Sequence, residues 1–153
     1  MRNGLIAAGL VIFAGVILLT GGGRARSATV EHTCSATDRQ FIARSELNMM
    51  ALEAWSEDYR NGSATEAEVI EEARKAAKHV NSLTPRDPSL RKTKMLLAGM
   101  LAEYGRGMSA RARGKDAAPH MYRAYSLANF AYDVLSQAES GLRREGCDVS
   151  ALL

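Results

Sequence analysis

Two cysteines constrain the fold of this 153-residue chain more than any other feature. Cys34 and Cys147 are its only cysteines, and they stand 113 positions apart, just outside the two ends of a region whose pattern is helical throughout. They form no C-x-x-C motif, so neither a redox-active pair nor a zinc site is indicated. Because an apolar export segment precedes them, we predict that they lie in an oxidising compartment and form a disulfide. The fold must therefore bring the two ends of this region together.

An uncharged, proline-free run, LIAAGLVIFAGVILLT, covers residues 5–20 and is followed by three glycines and then by Arg24 and Arg26. Its length lies between that of a signal-peptide core, about 7–15 residues, and that of a membrane-spanning helix, about 17–25. We therefore expect residues 1–23 to form a signal anchor or transmembrane helix, or alternatively a cleaved signal peptide, with residues 24–34 as a linker. The predicted disulfide places the C-terminal domain outside the cytoplasm, either anchored to the membrane or secreted if the leader is removed.

The composition is that of a folded helical protein. Aromatic residues make up 6% of the chain and there are 3 prolines, which argues against an all-β fold, while 46% hydrophobic and 24% charged residues argue against disorder. Three of the 20 basic residues, Arg2, Arg24 and Arg26, precede the folded region, which leaves 17 basic against 17 acidic side chains. Because the folded region is neutral, the formal charge of +3 does not indicate nucleic-acid binding.

Four amphipathic segments follow the first cysteine, and each begins at a helix-starting signal. Ser35 is an N-cap candidate for the first, and residues 63–66, Ser-Ala-Thr-Glu, have the form of a capping box before the second. Asp87 precedes a proline at the start of the third, and Pro119 opens the fourth. The predicted helices cover residues 36–60, 64–83, 88–113 and 119–145, with a C-terminal tail at residues 148–153.

Apolar residues recur at intervals of three and four in all four segments, as expected for helices that bury one face. In the third segment the pattern continues across Gly105, so one helix is predicted, with a break at this glycine as the alternative. The predicted inner stripe of the first segment comprises Phe41, Ser45, Asn48, Leu52, Trp55 and Tyr59. That of the fourth segment comprises Met121, Tyr125, Ala128, Tyr132, Leu135 and Leu142.

Four helices of similar length joined by short turns favour an antiparallel up-down-up-down bundle. In that topology the start of the first helix and the end of the fourth lie at the same end, which is the geometry that a Cys34–Cys147 disulfide requires. The predicted fold is therefore all-α: an N-terminal membrane helix or signal segment, followed by a four-helix bundle closed by a disulfide.

The sequence contains no motif for catalysis, phosphate binding or dinucleotide binding. His79 and His120 fall at opposite ends of the predicted bundle, so a shared metal or a catalytic pair is not expected. The methionines recur at helical spacing and are interpreted as core residues rather than as haem or metal ligands. We therefore predict no catalytic residue, no metal site and no cofactor, and a protein that is not an enzyme.

Charge is distributed unevenly along the folded region. Residues 31–84 carry 6 basic and 10 acidic side chains, a net charge of −4, whereas residues 85–125 carry 9 and 3, a net charge of +6. Four cations cluster at the start of the third helix: Arg86, Arg91, Lys92 and Lys94. Two interpretations stay open, namely that the cluster faces anionic lipid or an acidic partner, and that it merely complements the acidic second helix.

These features favour a membrane-anchored, extracytoplasmic helical module that binds a protein partner in the cell envelope as an accessory or scaffolding subunit. It contacts the membrane through residues 5–20, and no nucleic-acid partner is expected. The alternative is a secreted carrier of a small ligand or metal, with a groove between the last two helices lined by Tyr104, Tyr125 and Tyr132.

Overall fold

A computed structural model describes residues 33–153, which contain four α-helices, one short 3-10 helix and no β-strand. The helices are α1 (Ala36–Arg60), α2 (Glu66–Ser82), α3 (Pro88–Ala112) and α4 (Ala118–Arg144), and the 3-10 helix is Ser150–Leu152. The predicted all-helical class, with four helices in this part of the chain, is confirmed. The predicted membrane segment at residues 1–23 and most of the predicted linker at residues 24–34 lie outside the described residues.

Capping side chains fix where α1, α2 and α3 begin, and at α2 the cap differs from the predicted one. The backbone N–H of Thr65 donates to Glu68 Oε2 (2.7 Å), and the backbone N–H of Glu68 donates to Thr65 Oγ1 (3.3 Å). These reciprocal bonds form the capping box, which the sequence places at Ser63 instead. For this reason α2 begins at Glu66 rather than at residue 64.

α3 runs unbroken across its glycines, so the alternative of a break at Gly105 is wrong. A Cβ at Gly105 would lie 3.5 Å from Ala73 Cβ of α2, and one at Gly107 would lie 2.9 Å from Met121 Cε of α4. The glycines therefore let α3 approach both neighbours closely, and this packing offsets their low helix propensity.

α3 is the central helix of the domain. Consecutive helices pack against each other, α1 with α2, α2 with α3, and α3 with α4. α1 also reaches α3 through the hydrogen bond between Ser56 Oγ and Tyr104 Oη (2.8 Å). Among the described residues, the backbones of α1 and α4 approach each other closely at few points, and the disulfide and the 3-10 helix join them at one end. Phe41 of α1 and Leu135 of α4 nevertheless belong to one buried core. α2, α3 and α4 form a layer with α1 against one side.

The predicted disulfide between Cys34 and Cys147 is confirmed. Their Cα atoms are 5.1 Å apart, and both residues are buried. The backbone N–H of Cys34 also donates to the carbonyl oxygen of Glu145, and the 3-10 helix Ser150–Leu152 that follows contacts both α1 and α4. The segment after α4 therefore closes the core at the end where α1 begins. The largest fully buried apolar side chains of that core are Phe41, Leu90, Leu101, Leu135, Val69, Val80 and Val149.

The inner face predicted for α4 is wrong at its two central tyrosines. Tyr125 and Tyr132 are 66% and 52% exposed. The residues that α4 buries are Ala124, Ala131, Leu135 and Leu142. Small alanines allow close packing against α3, while the exposed tyrosines keep their hydroxyl groups in water.

Asp38 ties the start of α1 to the start of α3. Its carboxylate is buried, and Oδ1 accepts hydrogen bonds from the backbone N–H groups of Arg86 (2.6 Å) and Asp87 (3.0 Å). Oδ2 accepts a third from the hydroxyl of Ser35 (2.5 Å). Burial raises the pKa of Asp38, but these hydrogen bonds outweigh it and hold the pKa below its usual value. Asp38 is therefore a link between two helices.

We expect Asp38→Ala to lower the free energy of unfolding by about 1–3 kcal/mol, because it leaves two partly buried N–H donors without their acceptor. Asp38→Asn, which keeps one acceptor oxygen, should lose less. Urea unfolding of the two variants measures the difference. Equal stability of Asp38→Ala and the unmodified chain would show that the link between α1 and α3 contributes nothing.

Candidate interaction surface

The predicted basic cluster lies at the start of α3, near the disulfide. Arg86, Arg91 and Lys92 are exposed, and Lys94 is half-buried. Arg91 Nη1 donates to the carbonyl oxygen of Arg86 (2.9 Å), and Lys94 Nζ lies 3.5 Å from the carbonyl oxygen of Asn81 on α2. Within residues 33–153, none of the four cations forms an ion pair with a carboxylate. Within the described residues, no contacting carboxylate neutralises their charge.

The three tyrosines of the predicted ligand groove have different surroundings. Tyr104 is half-buried against the core and shares a hydrogen bond with Ser56 of α1. Tyr125 and Tyr132 both project from α4 with more than half of their surface exposed. An enclosed site requires buried walls, and these two side chains do not provide them.

A charged cluster that the sequence analysis missed joins α3 to α4. Glu103 is only 8% exposed, and His120 Nδ1 lies 2.8 Å from its Oε2. Arg106 Nη2 lies 2.8 Å from Glu103 Oε1, and Arg123 Nη1 lies 3.9 Å from the same oxygen. One buried carboxylate is thus held by groups from two helices. A lone acid among apolar residues of α3 was the available signal, but its partners on α4 follow only from the packing.

The hydrogen bond with His120 lowers the pKa of Glu103, and Arg106 adds to this effect against the opposing effect of burial. The folded state therefore binds fewer protons than the unfolded state around the pKa of this group. Its contribution to stability is complete above the unfolded value, about pH 4.3, and is lost as the pH falls through the lower folded value.

We accordingly expect the free energy of unfolding of Glu103→Gln to decrease less between pH 7 and pH 3 than that of the unmodified chain. A neutral amide cannot take up the proton that the Glu103 carboxylate binds at low pH. Urea unfolding at a series of pH values measures the slope. Asp133→Asn, at an exposed position of α4, serves as the control and should keep the slope of the unmodified chain. The explanation fails if the two variants show the same slope.

An open groove lies between α2 and α3, on the side of the layer that faces away from α1. Gly99 stands about half a helical turn from Leu97 and Leu101, which belong to the buried core. The groove has a volume of about 510 Å³ and is lined by Ala77, Lys78, Asn81, Met95, Ala98, Gly99 and Ala102. The side chain of Met95 is 72% exposed there. We call this feature the α2–α3 groove.

Comparisons with protein-family models, with curated proteins and with solved structures found no match. Across residues 33–153, no three or more His, Cys, Asp and Glu side chains are grouped so that they could hold a metal ion. None of the helices in this part of the chain is both long and apolar enough to cross a membrane.

Proposed function

We propose that this chain is a membrane-anchored, extracytoplasmic helical module, not an enzyme, that binds a protein partner in the cell envelope as an accessory or scaffolding subunit. The observation that carries the proposal is the buried Cys34–Cys147 disulfide, because structural disulfides persist mainly in oxidising compartments outside the cytoplasm. In this proposal the apolar run at residues 5–20 supplies the anchor.

Binding is favoured as the activity by apolar side chains that are exposed on a charged surface. Met95 and Phe130 are 72% and 58% exposed, and four cations at the start of α3 have no carboxylate partner among the described residues. Methionine and aromatic side chains are enriched at protein interfaces. A small-ligand carrier has less support, because Tyr125 and Tyr132 are exposed.

Reporter fusions test the location. A reporter that is active only after disulfide formation, fused after Leu153, should be active in cells, and a reporter that fluoresces only in the cytoplasm should remain dark at the same position. Membrane fractions should retain the fusion after an alkaline wash. The opposite pattern of the two reporters would place the domain in the cytoplasm and contradict the proposal.

Photo-crosslinking in the native host tests the binding. A photoreactive amino acid at Met95 should capture the same envelope protein in repeated experiments, whether that protein is a different chain or a second copy of this one, whereas a photoreactive amino acid at Asp148, an exposed residue near the disulfide, should not capture it. Capture of the same protein from both positions, or of none from either, would contradict a partner-binding role for the surface around Met95.

A further inference from the structure

We infer that copies of this chain associate side by side, with the outer face of α1 of one copy seated in the α2–α3 groove of the next. The inference deepens the proposed function and rests on it in one respect, since anchoring in one membrane brings copies of the chain together. Its basis is a match in shape, charge and height between two faces of the same domain.

The outer face of α1 carries exposed apolar side chains among acidic ones. Leu47 and Met50 are 56% and 59% exposed, and Glu53 and Glu57 are exposed one and two turns further along the helix. Residues 46–58 contain four acidic side chains and no basic one. We call this face the α1 ridge. An exposed apolar strip flanked by a single sign of charge is typical of a surface that docks on an oppositely charged partner.

The α2–α3 groove has the complementary character. Its lining combines small side chains with Met95, and Lys78 of α2 is part of that lining. Arg106 lies four residues after Ala102 of the groove lining, and therefore on the same face of α3, and Arg123 contacts Glu103 beside it. The side chains of the two arginines are 57% and 61% exposed. Glu103, which contacts both arginines, is one acid against these three cations. The groove lining is therefore mostly apolar, and the net charge of the side chains around it is positive.

The heights of the two faces also match. Hydrogen bonds near both ends of α1 show which residues of α1 and α3 lie at the same height. Ser56 bonds to Tyr104, 48 positions later, and Asp38 bonds to the backbone of residues 86 and 87, which are 48 and 49 positions later. Residue n of α1 therefore lies level with residue n + 48 of α3. Leu47 is level with Met95, and Met50 with Ala98.

The acidic part of the ridge is level with the arginines by the same measure. Glu57 corresponds in height to Gly105, next to Arg106. Arg123 contacts Glu103 and so reaches the height of residue 55 of α1, between Glu53 and Glu57. If a second copy is displaced sideways without a change in height, the apolar side chains of its α1 ridge meet the apolar lining of the groove. Its glutamates then meet the arginines beside the groove.

A second copy fits these observations better than a lipid or nucleic-acid surface. A flat bilayer does not reach the floor of a concave groove, and the described domain as a whole is close to neutral. Because the ridge and the groove lie on opposite faces, each copy leaves one of each unoccupied after pairing. The contact is heterologous, and it builds rows of copies rather than closed two-fold dimers.

Charge exchange between the two faces tests the inference on the full chain in mild detergent, with mass followed by light scattering. The unmodified chain should form oligomers that grow with concentration. The ridge variant Glu53→Arg/Glu57→Arg and the groove variant Arg106→Glu/Arg123→Glu should each self-associate at least about tenfold more weakly, because each then opposes like charges. A mixture of the two variants should associate again, since the opposite charges then meet.

Two further variants make the outcome decisive. The variant Asp133→Arg/Glu139→Arg also replaces two acids by arginines, but on α4, away from the α1 ridge and the groove lining. It should associate like the unmodified chain. Ala102→Trp fills the groove without a change of charge and should weaken association even if the groove variant fails to fold, as circular dichroism would show. A chain that stays monomeric up to about 100 µM, or a mixture that does not recover association, would overturn the inference.

The failures of the two proposals are distinguishable. A monomeric chain that is still captured by an envelope protein at Met95 would overturn the rows of copies and leave the proposed function intact. If the chain self-associates but the cytoplasmic reporter fluoresces and the disulfide-dependent reporter is inactive, the proposed location is overturned instead. Binding of the monomeric chain to vesicles of anionic lipid or to RNA would likewise contradict a second copy as the occupant of the groove.

Discussion

Replacing Cys147 with serine is expected to lower the free energy of unfolding by about 4–5 kcal/mol. The bond joins residues 113 positions apart, and a crosslink over so long a loop removes much of the conformational entropy of the unfolded chain. The variant also leaves an unpaired thiol at Cys34 and a hydroxyl group in a buried setting. Urea unfolding monitored by circular dichroism measures the loss.

Reductant supplies the control for this prediction. It should destabilise the unmodified chain by a similar amount and leave the serine variant unchanged, because the variant has no bond to reduce. If both the variant and the reduced chain unfold at the urea concentration of the oxidised chain, the crosslink does not stabilise the fold.

Leu135→Ala is expected to cost about 2–5 kcal/mol, as truncation of fully buried leucines generally does. Leu135 of α4 is 1% exposed and Leu101 of α3 is 0% exposed, and both belong to one core cluster. Leu101→Ala should therefore lose stability to a similar extent. The cavity left in each case cannot be refilled without movement of the helix backbones.

Tyr132→Ala is the matched control on the same helix. Its side chain is 52% exposed, so its loss should change stability by less than about 1 kcal/mol. If instead Tyr132→Ala costs as much as Leu135→Ala, Tyr132 is an inner residue, as the sequence predicts, and its exposure in the structure is contradicted.

Local signals account for the part of the fold that could be predicted from the sequence. Helix starts follow from side chains that cap N–H groups a few residues away, so Ser35 and Asp87 locate α1 and α3 without reference to the rest of the domain. The disulfide follows from the position of the two cysteines at the ends of the helical region. The helix starts depend on contacts between residues a few positions apart, and the disulfide follows from there being two cysteines at the ends of the helical region.

The phase of α4 illustrates what could not be predicted. Tyrosine and alanine alternate near the middle of the helix, and a pattern based on apolar size selects Tyr125 and Tyr132 as inner residues. The structure buries Ala124 and Ala131 instead, on the helix that packs against α3. The spacing between two helices is a tertiary property, and one helix does not encode it.

The candidate surface was predictable only in its net charge. The excess of cations in residues 85–125 is visible in the sequence, but its division between the start of α3 and the groove side of the layer depends on the packing of three helices. The sequence does not indicate that two acids are buried, namely Asp38 and Glu103. Each is held by donors that lie far away along the chain.

The central claim is that the domain closes through Cys34–Cys147 in an oxidising compartment, and the thiol state of the native protein tests it most directly. Cells are quenched with acid, and the denatured chain is treated with a maleimide that adds mass to each free thiol, with and without prior reduction. We predict no added mass without reduction and two additions after it. Two additions without reduction would show that the sulfur atoms are free in the cell, and would contradict both the crosslinked fold and its location outside the cytoplasm.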